Sequence, residues 1–354
     1  MSAEARLSIE EIVDQLTLRI EDLARRLLPG GRKRGNEWVE ASSARGGLGD
    51  SLSVRLSGGR AGVWCHFGGA GRGDALDLIA YVETGGDKVA AIKWAKDFLG
   101  IADGGGGASR PDPEALERAR KARLKREQQD VQDRNRRSAH AQRLWLSAPV
   151  VEASDPVGRY LAGRGIGLPR LGRRPGCLRA GQLVRHRNGG DWPAMLAAII
   201  DHEGRHVATH RTFLTAEGAK APVDPVKMVL GDYGGGHIPV WKGQHRQTLR
   251  ELPEGVPVYA AEGIEDALSA AVLRPDARII AGVSVSNLGM LWLPDQCREL
   301  VLIAQNDPPD SPAAEAFDRV VRAHGRRGRT VRVARPPEGI KDFNDWIRIL
   351  RGEV

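Results

Sequence analysis

The sequence predicts an α/β protein in which a small α+β module precedes a C-terminal parallel sheet. Three apolar, β-rich runs occur near the C-terminus, and each is followed by a cluster of acidic residues. Helical patterns separate these runs, and strands that alternate with helices are typical of a parallel sheet. The three runs lie at 256–261, 299–304 and 330–334.

The first hundred residues predict the α+β module. Residues 8–28 place apolar side chains at a spacing near 3.6, which predicts one amphipathic helix that ends at Pro29. Glycine-rich turns then separate short β-like runs, and two helical patterns follow. The predicted strands are 37–39, 51–56 and 62–67, and the predicted helices are about 74–84 and 87–99. We therefore expect one module over residues 1–102.

A charged segment follows the module. The glycines 104–107 predict a flexible break, and residues 113–143 form a helical pattern with many charges and few apolar residues. This helix is either a solvated connection or an arm that follows a nucleic-acid backbone. The expected linker is 103–150, followed by an irregular basic region over 151–252 with β-like runs at 195–201 and 206–214. The acid-bearing α/β domain is expected over 253–354.

Composition narrows the class of partner. The chain has 354 residues and a formal net charge of +8, which favours a polyanionic partner. Its three cysteines form no Cys-x-x-Cys pair, so no disulfide framework or thiolate zinc site is encoded locally. The N-terminus lacks the apolar core of a signal peptide, and the longest apolar stretch is too short to span a membrane. We expect a cytoplasmic protein with no membrane partner.

The acidic residues after the three runs are candidate metal ligands. Glu262 lies at a strand-to-helix turn, where Gly263 permits a tight bend, and Asp266 follows one helical turn later. Acids in a first helical turn also favour the helix dipole without any further role. However, Asp307 and Asp310 follow the second run, and Asp342 and Asp345 follow the third. Ligands gather at the carboxyl edge of a parallel sheet, so this pattern predicts phosphoryl or nucleotidyl transfer with Mg²⁺ or Mn²⁺.

These residues resemble the Toprim domain of bacterial-type primases, topoisomerases and related nucleases. The matching residues are Glu262-Gly-Ile-Glu-Asp266-Ala-Leu, then Asp307, then Lys341-Asp342-Phe-Asn-Asp345. Upstream, Tyr160-Leu-Ala-Gly-Arg164-Gly resembles an element of bacterial primase catalytic cores, and 198–214 resembles the hairpin that carries their arginine, here Arg211. Lys227 falls where that family has a lysine. The similarity covers about 155–350 and is closest to Toprim primase-like proteins of phages, plasmids and integrated elements.

The resemblance implies a primase-type core that joins nucleoside triphosphates into short primers on single-stranded DNA. Its implied catalytic residues are Glu262, Asp266 and Asp307, and its implied metal ligands are Glu262, Asp307, Asp310, Asp342 and Asp345. Arg164, Arg211 and Lys227 would bind template or triphosphate. The chain has no GxxxxGK[ST] loop, so a replicative helicase encoded elsewhere is an expected partner.

Two departures from the family pattern keep other functions open. The N-terminal module resembles the zinc-binding domain that precedes such cores, but Cys65-His66 is its only candidate ligand pair, so no zinc is expected. Gln305 stands where the family has the first aspartate of an Asp-x-Asp pair. A metal-dependent nuclease that uses the same carboxylates, and a DNA-binding module without catalysis, therefore remain alternatives.

Overall fold

The computed structural model describes residues 7–41, 51–66, 71–101 and 113–352. They belong to two compact units, Met1–Gln132 and Asp133–Val354. The predicted flexible break at 104–107 lies outside the described residues, as does Phe67, the last residue of the third predicted strand. No helix in the described ranges is both long and apolar enough to cross a membrane.

The first unit is built from helices packed on an antiparallel sheet. Its elements are α1 (Ile9–Leu18), α2 (Ile20–Leu27), β1 (Arg32–Arg34), β2 (Glu37–Ala41), β3 (Ser51–Arg55), β4 (Trp64–His66), β5 (Arg72–Gly73), α3 (Ala75–Val82) and α4 (Lys88–Leu99). The strands pair in sequence order. The single helix predicted over 8–28 is divided, because Arg19 leaves the helical conformation and its N–H donates to the carbonyl of Leu16.

A long helix, α5 (Pro113–Ser147), leads into the second unit. Its last turns pack on a four-stranded antiparallel sheet, where Ser138 Oγ donates to the carbonyl of Val207 (2.8 Å) and Thr209 Oγ1 donates to that of Ala141 (2.8 Å). Between helix and sheet lie α6 (Pro156–Gly163) and α7 (Leu168–Leu171). The sheet contains β6 (Leu178–Arg185), β7 (Asp191–Ile200), β8 (His206–Phe213) and β9 (Lys227–Gly231), paired in that order. These strands form a regular sheet, whereas the sequence pattern predicted an irregular basic region with two β-like runs.

The C-terminal part of the second unit is a five-stranded sheet covered by helices. Its elements are β10 (Ile238–Trp241), β11 (Val258–Ala261), α8 (Ile264–Leu273), β12 (Arg278–Ala281), α9 (Val285–Met290), β13 (Glu299–Ile303), α10 (Pro312–Arg326), β14 (Thr330–Ala334) and α11 (Phe343–Ile349). The strand order is β10-β12-β11-β13-β14, and only β10 is antiparallel to its neighbour. The parallel sheet was predicted, but its strands β10 and β12 were not. The four parallel strands all end at one edge.

Candidate active site

A pocket of about 320 Å³ opens at the carboxyl edge of the parallel sheet. Four of its residues each follow a different parallel strand, namely Val283 after β12, Glu262 after β11, Gln305 after β13 and Asp342 after β14. Its carboxylates are Glu262, Glu265, Asp266 and Asp342, and its cations are Arg164 and Lys227. We call this site the acidic pocket. The sheet topology brings together residues that lie far apart in the chain, as the carboxylate series predicted.

Glu262 is held by the loop that follows β12. The N–H of Val283 donates to the carbonyl of Glu262 (2.9 Å), and the N–H of Val285 bonds to the carboxylate. Val283 has a φ of 74°, which a β-branched residue rarely adopts and which costs free energy. Burial raises the pKa of Glu262 and the charge of Asp307 raises it further, while Lys227 opposes them. The strained loop thus fixes a carboxylate that accepts protons more readily than an exposed one.

Asp266 lies on the first turn of α8 and is 7% exposed. Gln305 Nε2 donates to Asp266 Oδ2 (3.1 Å), and Asp266 Oδ1 has no partner among the described residues. Burial raises the pKa of Asp266 to about 6, and the negative charge of Asp342 contributes to this rise. The amide that replaces the expected aspartate therefore acts as a hydrogen-bond donor to a neighbouring carboxylate.

Glu265 is a residue of the pocket that the sequence did not single out. Its carboxylate accepts a hydrogen bond from the hydroxyl of Tyr160 (2.7 Å) and pairs with Lys227 (3.0 Å). Burial alone would raise the pKa of Glu265, but the charge of Lys227 and these two hydrogen bonds lower it to about 2. Glu265 is therefore ionised, and it holds Lys227 beside the other carboxylates. The sequence placed Glu265 inside the Toprim-like motif at 262–268, but gave it no role of its own.

Arg164 and Lys227, two of the three predicted phosphate-binding residues, line the pocket. The backbone of Arg164 is fixed by Asn344, whose side-chain amide donates to its carbonyl (2.7 Å) and to Ser269 Oγ (3.1 Å). Asn344 is 1% exposed and belongs to α11. This contact explains how the primase-like element near residue 160 is fastened to the C-terminal sheet.

The third predicted residue, Arg211, is not brought to the pocket. In the register of β7 and β8, His210 pairs with Ala197 and Arg211 with Leu196, and successive side chains of a strand point to opposite faces. His210 lines the acidic pocket, whereas the guanidinium of Arg211 lies 5.7 Å from the ring centre of Phe213. Burial, together with the charge of Lys227, lowers the pKa of His210 to about 4, so His210 is neutral at pH 7. His210 is thus a second residue of the pocket that was missed.

The remaining predicted carboxylates, Asp307, Asp310 and Asp345, are not among the pocket's lining residues. The charge of Asp307 nevertheless acts on Glu262. Asp310 is exposed, and Asp345 pairs with Arg348 (3.8 Å). The loop that carries Asp307 is fastened by Asn306, whose side-chain amide donates to three carbonyls, those of Pro336, Pro337 and Ile340.

The donor set of the acidic pocket fits a weakly held divalent cation. No group of three or more His, Cys, Asp or Glu residues within the described ranges is arranged to hold a metal ion. However, Mg²⁺ is commonly bound through one or two carboxylates, with waters and substrate phosphates completing its shell. The raised pKa values of Glu262 and Asp266, together with the unpartnered Oδ1 of Asp266, are what one or two such ligands would show without a cation.

Two families match parts of the chain. Residues 257–351 match the Toprim domain, and residues 135–240 match a domain of unknown function, DUF7146. The acidic pocket draws most of its residues from the first match, and Arg164, His210, Lys227 and Ile238 from the second. The C-terminal part of the second unit is therefore a Toprim domain. Among curated proteins, none matches the sequence.

The chain also resembles solved primase structures. These include the primase fragment of the bacteriophage T7 primase-helicase protein, with 15% identity over 58% of this chain and 76% of that one and a TM-score of 0.37. The zinc-binding and RNA polymerase domains of the Aquifex aeolicus primase have 14% identity over 98% and 85% of the two chains, with a TM-score of 0.38. The E. coli primase catalytic core has 14% identity over 60% and 74%, with a TM-score of 0.38.

Proposed function

We propose that this protein is a DNA primase-like nucleotidyltransferase that joins nucleoside triphosphates into short primers on single-stranded DNA. One observation carries the proposal: the acidic pocket of the Toprim domain combines two carboxylates of raised pKa with the cations Arg164 and Lys227. Such a pocket suits a reaction in which a hydroxyl loses a proton while phosphate charge is neutralised. The net charge of +8 is consistent with a polyanionic template.

The residues of the pocket have distinct roles in this proposal. Glu262 accepts the proton of the primer 3′-hydroxyl, because its raised pKa brings it nearer to neutral pH. Lys227 and Arg164 bind the triphosphate or template phosphates. One or two of the carboxylates Glu262, Asp266, Asp307 and Asp342, together with substrate phosphates, would hold Mg²⁺ or Mn²⁺, and the bound ion would stabilise developing negative charge on the phosphates. Asp310 and Asp345 have no part here, because one is exposed and the other pairs with Arg348.

Primer synthesis on single-stranded DNA with labelled nucleotides tests the proposal directly. We expect short products with Mg²⁺ or Mn²⁺ and none with EDTA. Glu262→Gln should abolish these products while single-stranded DNA binding is retained, because the substitution removes the proton acceptor and leaves the cations in place. Normal priming by this variant would mean that the acidic pocket is not the catalytic site. Shortened template in place of new products would show a metal-dependent nuclease.

A DNA-binding module without catalysis is the second candidate, and Gln305 favours it. The amide contributes no charge to a pocket in which no three acids are arranged to hold a metal within the described ranges. This candidate predicts that DNA binding depends on salt but is indifferent to Mg²⁺, with no synthesis or cleavage. The restoration test is Gln305→Asp, because synthesis that appears only in this variant would establish that the natural residue has disabled the site.

The proposed primase would work with a helicase encoded elsewhere, since the chain carries no phosphate-binding loop of the motor type. We expect a replicative helicase from the same source to stimulate primer synthesis. If no such helicase stimulates primer synthesis or co-purifies with the protein, the partnership is wrong. The primase proposal itself would remain intact.

A further inference from the structure

The second unit contains another and larger cavity, of about 990 Å³. It is lined by the last turns of α5, the segment 173–177, the adjoining ends of β7 and β8, and the residues 239–242 at β10. The described lining of this cavity shares no residue with that of the acidic pocket. Strand β10 contributes to both, with Ile238 in the acidic pocket and Trp241 in the large cavity. We call the latter the basic cavity.

Two indole rings in the basic cavity are held rigidly. Trp145 Nε1 donates to the carbonyl of Cys177 (2.8 Å), and Trp241 Nε1 donates to that of Pro275 (2.8 Å). The Arg179 guanidinium lies 3.9 Å from the ring centre of Trp145, and that of Arg173 lies 4.0 Å from Trp241. Both rings are therefore fixed before any ligand arrives. Trp241 is only 4% exposed and holds the Arg173 guanidinium over its ring, whereas Trp145 is half-buried and lines the cavity. A planar ligand would stack on Trp145 or on the held guanidinium of Arg173, at a reduced entropic cost.

The cavity is also strongly cationic. Its described lining includes five basic residues and no acid, and the basic residues are Arg173, Arg174, Arg205, Lys242 and Arg246. Arg174 and Arg205 pair with acids outside the lining. The other three form no ion pair with any acid that the structure describes. Partial burial and the neighbouring charge of Arg246 lower the pKa of Arg173, so a bound anion would relieve the repulsion between these two cations.

We propose that the basic cavity binds single-stranded DNA at a site separate from the acidic pocket. A fixed aromatic ring and a fixed guanidinium beside unpaired cations are a combination by which proteins hold single strands, because unpaired bases stack on the planar groups while phosphates contact the cations. In a duplex the base faces are already stacked on each other, so a concave site with one half-buried indole and the guanidinium of Arg173 suits a single strand. The site does not depend on catalysis in the acidic pocket and is therefore measurable without metal.

The test is binding of a fluorescently labelled oligothymidylate to the full chain in EDTA, measured by anisotropy across a salt series. We expect the double variant Arg173→Ala/Arg246→Ala to weaken binding about tenfold near 0.1 M salt. The slope of the logarithm of the binding constant against the logarithm of the salt concentration should become shallower by about 1.4, because each phosphate contact on a single strand contributes about 0.7. The control is Arg322→Ala/Arg326→Ala, which removes the same charge from the exposed surface of α10. Equal weakening by both pairs would overturn the site.

A second pair of variants tests the location of the DNA-binding site without removing any arginine. Leu146 lines the basic cavity and is 63% exposed, whereas Leu183 on β6 is 78% exposed and is not among the lining residues. Leu146→Glu should weaken binding several-fold, and Leu183→Glu should leave it unchanged, because both add one charge to an exposed position but only the first adds it to the cavity. Unaltered binding by Leu146→Glu would refute the proposal.

The same variants distinguish a free nucleotide from a DNA strand. If Leu146→Glu weakens binding of a fluorescent ATP analogue but not of the oligothymidylate, the cavity is a nucleotide site and the proposal is wrong. Glu262→Gln should bind the oligothymidylate like the natural protein. A chain that synthesises no primer but loses DNA affinity only in the cavity variants would refute the proposed function and support this site.

Discussion

Replacing Asp266 with asparagine is expected to stabilise the protein above neutral pH. The carboxyl group is 7% exposed, and its Oδ1 has no hydrogen-bond partner among the described residues. Hydrogen bonds from the Gln305 amide and from the backbone N–H of Asn344 lower its pKa, but they do not offset its burial. Burial, with help from the charge of Asp342, raises its pKa from the ordinary 3.8 to about 6. Each pKa unit corresponds to about 1.4 kcal/mol, so keeping Asp266 charged costs the folded protein about 3 kcal/mol. Asparagine has nearly the same shape and can still accept the hydrogen bond from Gln305.

The gain should depend on pH in a defined direction. Below about pH 3 the carboxyl group is protonated in both the folded and the unfolded chain, because both pKa values lie above that pH, so it imposes no penalty. As the pH rises towards 6, the unfolded chain releases its proton first and the free energy of unfolding falls. Above pH 6 the full penalty applies. Asp266→Asn should therefore gain about 2–3 kcal/mol at pH 8 and only about 0.5 kcal/mol at pH 4.

Urea unfolding at a series of pH values measures this difference as a shift of the midpoint. Asp345→Asn is the matched control, because Asp345 lies on the neighbouring helix α11, is half-buried and pairs with Arg348. The control should not reproduce a gain that grows with pH. If Asp266→Asn lowers stability equally at pH 5 and pH 8, the burial of an uncompensated carboxylate is the wrong explanation. Added Mg²⁺ should narrow the gap, since a cation favours the charged form.

Three further substitutions test the surroundings of this carboxylate. Glu265→Gln should lower the free energy of unfolding by about 3 kcal/mol at neutral pH, because the fold lowers the pKa of Glu265 from 4.5 to about 2. Urea midpoints should show that this loss shrinks as the pH falls below 4.5. A loss that is independent of pH would contradict this explanation. Lys227→Met should raise the pKa of Glu262, so the pH at which primer synthesis reaches half of its maximum should move upward. An unchanged pH profile would mean that the charge of Lys227 does not control the protonation of Glu262. Val283→Gly should raise the free energy of unfolding by about 1 kcal/mol in thermal unfolding, because the relief of a positive φ exceeds the entropic cost of glycine. A decrease would show that the lost side-chain contacts of Val283 outweigh the relief of backbone strain.

The parallel sheet was predictable because its strands are short, apolar and separated by helical patterns. Strand β12 was missed because Arg278 begins a run of only four residues, too short for a periodic signal. Two of the four strands of the antiparallel sheet in the second unit were predicted, because β7 is largely apolar and β8 carries the strand-favouring residues Val207, Thr209, Thr212 and Phe213. Strand β9 is partly exposed along its length, and its pattern of burial shows no alternation to read from the sequence. The break between α1 and α2 at Arg19 interrupts an apolar spacing that continues across it.

The sequence could predict only those residues of the site that come after the carboxyl end of a parallel strand. Glu262 and Asp342 were found because the ends of parallel strands meet at one edge. Glu265 was not, because its partners Tyr160 and Lys227 come from elements more than 35 residues away in the chain, a separation that no local pattern encodes. The placement of Arg211 depended on strand register, because a shift of one residue exchanges the faces of a strand. Sequence alone named His210 and Arg211 as neighbours, and only the sheet decides which one faces the pocket.

Gln305 changes the balance of charge in the acidic pocket, and this change has a direct consequence for metal binding. An aspartate at this position would place a second negative charge beside Asp266, whose pKa is already raised by burial and by Asp342. The amide instead donates a hydrogen bond to Asp266, so the folded protein depends less on a cation for its stability. The same substitution removes a ligand that would have attracted the cation. The pocket should therefore bind Mg²⁺ weakly when empty and more tightly when the phosphates of a nucleotide supply the missing oxygens. Metal and triphosphate are accordingly expected to bind with positive cooperativity, and Gln305→Asp should reduce that cooperativity by strengthening metal binding in the absence of nucleotide.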